Sequence, residues 1–288
     1  MKSLQITCTG NYRKSKFLKI VNMVFDYFND NQYDATVVLT NEFQSKKSFK
    51  NLNPNIKIDS FENCIKNTDF ILSIGGDGTI LSTVRRLGKK TIPILGIHIG
   101  HLGFLAQSTE KNLLEALDCL RNKKYTINKR ILLEVAIDEK NVSYAFNDVV
   151  IDHGSSGRIL RSDVYIDKKH VNNYESDGIV ISTPTGSTGY SLSAGGPIVS
   201  PNLDVINLTP ISSHSLSARP IVLSSSSKIE IKFNNRFSDG ALTVDGQERF
   251  NLKKDNVISV RKAKHKASLI ILPNYDYMMT LKEKLHWS

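Results

Sequence analysis

The chain has 288 residues, 40% hydrophobic and 23% charged, with a formal net charge of +10. This length suits one large domain or two ordinary ones with a sizeable core. No apolar run approaches the ~18 residues of a membrane span, and the start, MKSLQITCTGNYRKSK, lacks the apolar centre of a signal peptide. Cys8, Cys64 and Cys119 are few, odd in number and far apart, which favours reduced thiols in the cytoplasm over a disulfide framework. The basic charge invites a nucleic-acid reading, but it is scattered in short pairs such as Lys46-Lys47 and Lys89-Lys90, with no zinc-finger spacing, aromatic RNA-binding signature or basic helix. Small polyanions such as nucleotides fit the same charge, so neither nucleic acid nor a membrane is the expected partner.

In chain order, Leu4–Cys8 reads as a strand and Phe17–Phe28 as a helix, with apolar residues at Phe17, Ile20, Val21, Val24 and Phe28. Strands follow at Thr36–Thr40 and Phe70–Ile74, then a glycine loop. Ile80, Leu81, Val84 and Leu87 mark a helix face that Gly88 can stop. A strand at Ile92–Ile97 and a helix at Leu113–Leu120 complete an alternation that predicts a doubly wound parallel sheet over residues 1–125. Beyond residue 126 the pattern turns to short β-rich runs: Leu132–Ile137, Val142–Phe146, Asp148–Asp152, Val164–Ile166, Gly178–Ser182, Ile221–Leu223, Lys228–Phe233, Ala241–Val244 and Val257–Ala263. Asp-Gly turns at 239–240 and 245–246 fall among them, so residues 126–270 are expected to form an all-β layered domain. Residues 271–288 form a tail that the pattern does not place.

The stretch ILSIGGDGTIL, residues 71 to 81, poses the chemical question. Backbone N–H groups at a helix start, approached closely where glycine has no side chain, bind anions. Gly75-Gly76-Asp77-Gly78-Thr79 matches neither the Rossmann nor the Walker spacing. A bare turn explains the glycines but not the acid among them. An acid beside phosphates can bind Mg²⁺ or take a proton from an attacking hydroxyl, which makes this a candidate phosphoryl-transfer loop. GGDGT resembles the motif shared by NAD kinases, diacylglycerol-type lipid kinases and, in a close variant, 6-phosphofructokinases.

A second stretch separates these three. DGIVISTPTGSTGYSLSAGGPIVSPNL carries no charge from Gly178 to Leu203, yet it is dense in hydroxyls and glycines. It is too punctuated by Ile179–Ile181, Tyr190, Leu192, Ile198 and Val199 to be a flexible linker. Thr185-Gly186-Ser187-Thr188-Gly189 lacks the first glycine of a hydrolase nucleophile elbow. Hydroxyls and free backbone groups beside an aromatic ring suit a neutral nucleoside. This segment closely resembles the NAD kinase signature, and GHLGFL (Gly100–Leu105), NDVVI (Asn147–Ile151), HSLSARPIV (His214–Val222) and VDGQ (Val244–Gln247) agree with that family in the same order.

The resemblance implies a Rossmann-like α/β domain, then a β-sandwich domain, an active site between them, and a homodimer or homotetramer. It implies transfer of the terminal phosphate of ATP to the 2′-hydroxyl of NAD's adenosine ribose. Asp77 would be the general base; Gly75, Gly76, Gly78 and Thr79 would form the phosphate loop, with Gly78 also in the NAD-binding turn. Asn147, Asp148 and Asp177 would hold the dinucleotide. Thr188, Gly189, Tyr190, Ser191, Leu192 and Ser193 would contact adenosine and ribose, with Gln247 nearby. Arg158 is a candidate pyrophosphate partner and Glu175 a less constrained pocket position. The family usually has Glu at 148, Ala at 189 and Asn at 98, where this chain has Asp148, Gly189 and His98. His98 and His101 have H-x-x-H spacing without a third ligand, so no dedicated metal site is expected, and Mg²⁺ would arrive with ATP. A lipid kinase would need an apolar substrate surface, and a silent NAD-binding regulator would not need Asp77.

Overall fold

A computed structural model describes residues 3–41, 49–100, 103–154, 157, 159–233 and 240–287. The chain divides into two compact units, Met1–Lys129 with Ser268–Ser288, and Arg130–Ala267. The stretch from 271 onward therefore belongs to the first unit.

In the first unit β1 (Leu4–Gly10), α1 (Phe17–Asp30), β2 (Ala35–Thr40), β3 (Lys57–Asp59), α2 (Phe61–Asn67), β4 (Phe70–Gly75), α3 (Asp77–Leu87), β5 (Ile94–His98), the short β6 (Ser108–Thr109) and α4 (Leu113–Arg121) follow in order. The strands β3-β2-β1-β4-β5 pair in parallel. The chain first runs outward from β1 to β3, then returns to lay β4 on the other side of β1, so the sheet changes direction between β1 and β4. All six residues of β4 are buried, as expected for a parallel strand covered on both faces. The helix face read from Phe17, Ile20, Val21, Val24 and Phe28 is the buried face of α1, and Leu113, Ala116, Leu117 and Leu120 of α4 join it over Ile6, Cys8, Leu72 and Ile74. The strand expected from Ile92 begins only at Ile94, because Pro93 has no N–H to offer the ladder.

The second unit is a sandwich of two antiparallel layers built from β7 (Thr126–Ile137), β8 (Lys140–Ala145), β9 (Asp148–Asp152), β10 (Leu160–Ile166), β11 (Lys169–Ser176), β12 (Gly178–Ser182), the one-turn α5 (Tyr190–Ser193), β13 (Val205–Ile211), β14 (Ile221–Ser224), β15 (Ile229–Phe233), β16 (Gly240–Val244), β17 (Glu248–Leu252) and β18 (Val257–Ile271). One layer runs β14-β13-β12-β9-β16-β17; the other contains β11-β10-β15-β18 with β7 and β8. Strand alternation puts every second side chain inside. Val149/Ile151, Ile179/Ile181, Ile206/Leu208 and Leu242/Val244 of one layer meet Ile229/Ile231 and Ile258/Val260 of the other, all essentially without solvent exposure.

The end of β18 re-enters the first unit, where Leu269 pairs with Ile94 and Ile270 and Leu272 join the core. Helix α6 (Tyr277–Leu285) follows, its start capped by the Asp276 carboxylate, which accepts from Met278 N (2.7 Å) and Met279 N (3.2 Å). Among the described residues no helix is long and apolar enough to cross a membrane.

Candidate active site

The glycine loop is built by close packing. A side chain on Gly75 would collide with Thr79, whose hydroxyl reaches back to accept the Gly76 N–H at 3.3 Å. Gly76 is the N-cap, and Thr79 is the third residue of α3 rather than its cap. Asp77 opens the helix, where the dipole favours negative charge. Its carboxylate is gripped from outside the helix: Phe104 N donates to Oδ2 at 2.7 Å and Leu105 N to Oδ1 at 3.2 Å. A Cβ on Gly103 would run into that carboxylate. The GHLGFL block thus has a physical reason for its second glycine: the loop must pass against an acid.

Beside this loop lies a pocket of about 530 Å³, lined by the Gly10–Lys14 turn and by Gly76, Gly78, Thr79, Ser82 and Arg86 on α3. It sits beyond the carboxyl ends of β1 and β4, where the sheet changes direction, the usual ligand position in open α/β sheets. Gly10, at φ +153, passes so close to β4 that a side chain would meet the Ile74 carbonyl. Arg13, Lys14 and Arg86 supply three cations to the pocket. The Arg13 Nε donates to the Tyr12 hydroxyl at 3.0 Å, and the Arg86 guanidinium lies 3.9 Å from the Phe61 ring centroid. Sequence reasoning missed this basic turn, because a short N-Y-R-K run looks like any solvated loop.

In the second unit the NDVV turn is organised by Asp245, which the sequence marks as a turn residue within the VDGQ block but not as a partner of that turn. Its carboxylate accepts N–H groups from Phe146 (3.0 Å), Asn147 (2.8 Å) and Asp148 (3.2 Å). Burial, and then the Asp245 charge, push the Asp148 carboxyl up to about 7, against a lowering contribution from the Tyr190 N–H. Asn147, Asp148, Tyr190, Thr243 and Asp245 line a pocket of about 390 Å³. Tyr190 is 47% exposed, so its ring is no part of the core.

The hydroxyls of the neutral stretch divide between two tasks. Thr183 donates to Phe146 O at 2.6 Å, and Ser187 ties Pro184 O (2.7 Å) to Val199 N (3.0 Å). Ser191 is buried and meets the Thr209 hydroxyl, so it staples this segment to the sheet rather than facing the pocket. Thr188, Gly189 and Leu192 are half-buried, and Ser193 is exposed. A side chain on Gly186 would strike the Asn147 backbone, which brings the two motifs into contact.

Other expected residues lie elsewhere. Glu175 pairs with Arg161 at 3.0 Å, and Asp177 N donates to Ile211 O at 3.0 Å. Because Gly178 pairs with Asp152 while Ser182 pairs with Asp148, Glu175 and Asp177 stand at the opposite end of β12, roughly 15 Å away at strand spacing. Gln247 is exposed in the β16–β17 turn, its N–H on Val244 O at 2.9 Å. Arg158 and His101 lie outside the described residues.

Residues 8–125 match the family description "ATP-NAD kinase N-terminal domain", and residues 146–272 match "ATP-NAD kinase C-terminal domain". An NAD kinase of Clostridium botulinum (strain Kyoto / Type A2) is 43% identical over 222 residues, 76% of this chain and 79% of the relative. The chain belongs to the ATP-NAD kinase family. A second member of the ATP-NAD kinase family, from Clostridium kluyveri (strain ATCC 8527), is 42% identical over 249 residues, covering 83% of this chain and 88% of its own. The crystal structure of yeast NADH kinase complexed with NADH superposes with a TM-score of 0.87 at 28% identity, covering 100% of this chain and 89% of that one. An Archaeoglobus fulgidus NAD kinase solved with ATP shares the fold, with a TM-score of 0.74 at 24% identity over 98% of each chain.

Proposed function

We propose that the protein is a phosphotransferase that moves the terminal phosphate of ATP onto the 2′-hydroxyl of the adenosine ribose of NAD, making NADP. The observation that carries this reading is the Asp77 carboxylate, fixed by Phe104 and Leu105 N–H groups, on a residue whose two neighbours, Gly76 and Gly78, line a cationic pocket. Donor phosphates suit that pocket, with the α3 N-terminus, Arg13, Lys14 and Arg86 meeting their charge. Each Asp77 oxygen keeps a lone pair beyond the N–H bond described above, so the acid can orient a ribose hydroxyl and take its proton as attack begins.

The acceptor is assigned to the second unit, with Asn147, Asp148 and the exposed ring of Tyr190 around the nucleoside. Thr188, Gly189, Leu192 and Ser193 flank it, and Ser191 acts by holding that segment in place. Asp177 and Glu175 at the far end of β12, Gln247 and Arg158 are assigned to the rest of the dinucleotide. Mg²⁺ is assigned to the ATP phosphates, where it would neutralise phosphate charge during transfer. Three free cysteines and the basic surface fit a cytoplasmic enzyme, and we read it as a homodimer or homotetramer.

The test is incubation of the pure protein with NAD or NADH, Mg²⁺ and, in turn, ATP, another nucleoside triphosphate or polyphosphate. NADP formation from NAD with ATP is expected. Its absence with every donor would refute the reading.

A further inference from the structure

The last segment of the chain leaves a second cavity in the first unit, about 440 Å³, against α4. That volume lies within the ~300–1,000 Å³ usual for small-molecule sites. Ala116, Leu272 and Met279 give it apolar walls, while Glu115, Asp276 and Glu283 supply three carboxylates; among the described residues no Lys, Arg or His lines it. On a chain of net charge +10 this is a local reversal of sign. It disfavours the phosphates that the glycine-loop pocket attracts and favours a cation.

The cavity wall is tied to Asp77. Tyr275, part of that wall, donates its hydroxyl to Phe104 O at 3.3 Å. Phe104 in turn donates its N–H to Asp77 at 2.7 Å. One residue therefore carries the acid on its N–H and the cavity wall on its carbonyl. A second tie runs from Leu272 N to the Gln107 side chain at 3.4 Å, so the loop that grips Asp77 is anchored twice to the segment lining the cavity.

We propose that this cavity is a regulatory site for a small organic cation with an aliphatic body, and that its occupancy lowers turnover by drawing Tyr275 away from Phe104 and loosening the grip on Asp77. The coupling rests on the reading of Asp77 as the general base; the binding does not. A ligand shifts activity only through differing affinity for the two arrangements, and here they differ in whether Tyr275 holds the loop.

Hexylamine is the probe, with hexanol and hexanoate as neutral and anionic controls of the same body, each titrated into the full chain by calorimetry and into the NADP assay. Hexylamine should bind with a dissociation constant of about 1 mM or tighter, hexanol more weakly and hexanoate not at all. Saturating hexylamine should lower kcat at least about twofold with the KM for NAD unchanged. The Glu115→Lys, Glu283→Lys double variant changes two exposed positions; it should keep basal turnover and lose hexylamine binding. Tyr275→Phe should bind hexylamine as the wild type does, start from a lowered kcat and no longer respond. Absent binding, equal binding of hexanoate, or binding with kcat unchanged or raised overturns the proposal. If Asp77→Asn turns over normally, the base assignment fails on its own, whether or not hexylamine binds.

Discussion

Replacing Asp77 by Asn removes one acceptor from a residue that uses both. The aspartate offers an oxygen each to Phe104 N and Leu105 N; the asparagine offers one, and its amide hydrogens face the other N–H. A hydrogen bond to a charged group contributes about 1.5–3 kcal/mol. Asp77 is only half-buried, so water can recover part of that, and a loss of about 1–2 kcal/mol is expected. At roughly 2–4 °C per kcal/mol for units of this size, the melting temperature should fall by a few degrees. The effect on rate is of another order. A positioned general base contributes about 10²–10⁴-fold, equivalent to roughly 3–5 kcal/mol of barrier, so kcat should drop by that factor at a temperature where the variant is fully folded. NAD affinity should change far less, because the glycine N–H groups remain. The assay is kcat, NAD affinity, Mg²⁺ dependence and thermal stability on this one variant. Turnover near wild type with only a lowered melting temperature would make Asp77 a structural clamp and end the base assignment. Partial recovery of rate at raised Mg²⁺ would make it a metal ligand instead.

Gly103→Ala should cut kcat at least about tenfold in a folded protein, since the new methyl group must displace the Asp77 carboxylate; steady-state kinetics with a circular-dichroism melt checks this, and normal kcat refutes it. Tyr190→Ala should weaken NAD binding by about 1 kcal/mol and leave the melting temperature nearly unchanged, because the ring is exposed; a destabilised variant with unchanged affinity would contradict both halves. Asp148 gives a pH signature. Its folded carboxyl holds a proton up to about 7, against an ordinary value of 3.8. The folded state thus binds more protons than the unfolded one between these limits, and Asp148 lowers stability as pH rises through that window. Asp148→Asn should flatten this slope and be the more stable protein at pH 8, by about 1–3 kcal/mol at ~1.4 kcal/mol per unit; parallel melting curves from pH 5 to 8 for the two proteins would refute the assignment.

The sequence was legible where one force dominated. The five apolar positions of α1, the start and end of β9 and β12, and the Gly88 stop follow from burial periodicity and backbone freedom. Strands without that signal were missed. Lys169–Ser176 is polar along most of its length because it is an edge strand, joined to its neighbour by Asp167 and Lys168, both at positive φ. Val205–Ile211 contains Pro210, which argues against a strand from sequence. Asp77 stood out in the sequence, since a turn that only reverses the chain needs no acid between its glycines, but its grip by the Phe104 and Leu105 N–H groups did not. Asp245 was not: what matters is the three N–H groups it collects from a segment about 100 positions away, and no local pattern encodes that. The same holds for the Gly10–Lys14 turn, which becomes part of a pocket only when β4 is laid beside β1.

The re-entry of β18 into the first unit orders events during synthesis. Arg130–Ala267 contains the strands of both of its layers, whereas the first unit, begun earliest, must wait for Leu269, Ile270 and Leu272. Domains generally fold as units in the order they emerge; here the N-terminal one finishes last, with β5 lacking its β18 neighbour throughout elongation. A chain truncated after residue 267 and released should therefore carry a settled sandwich and an unfinished glycine loop, since it lacks Tyr275 to hold Phe104. The grip on Asp77 would then be completed by the arrival of Tyr275, long after Asp77 itself was made.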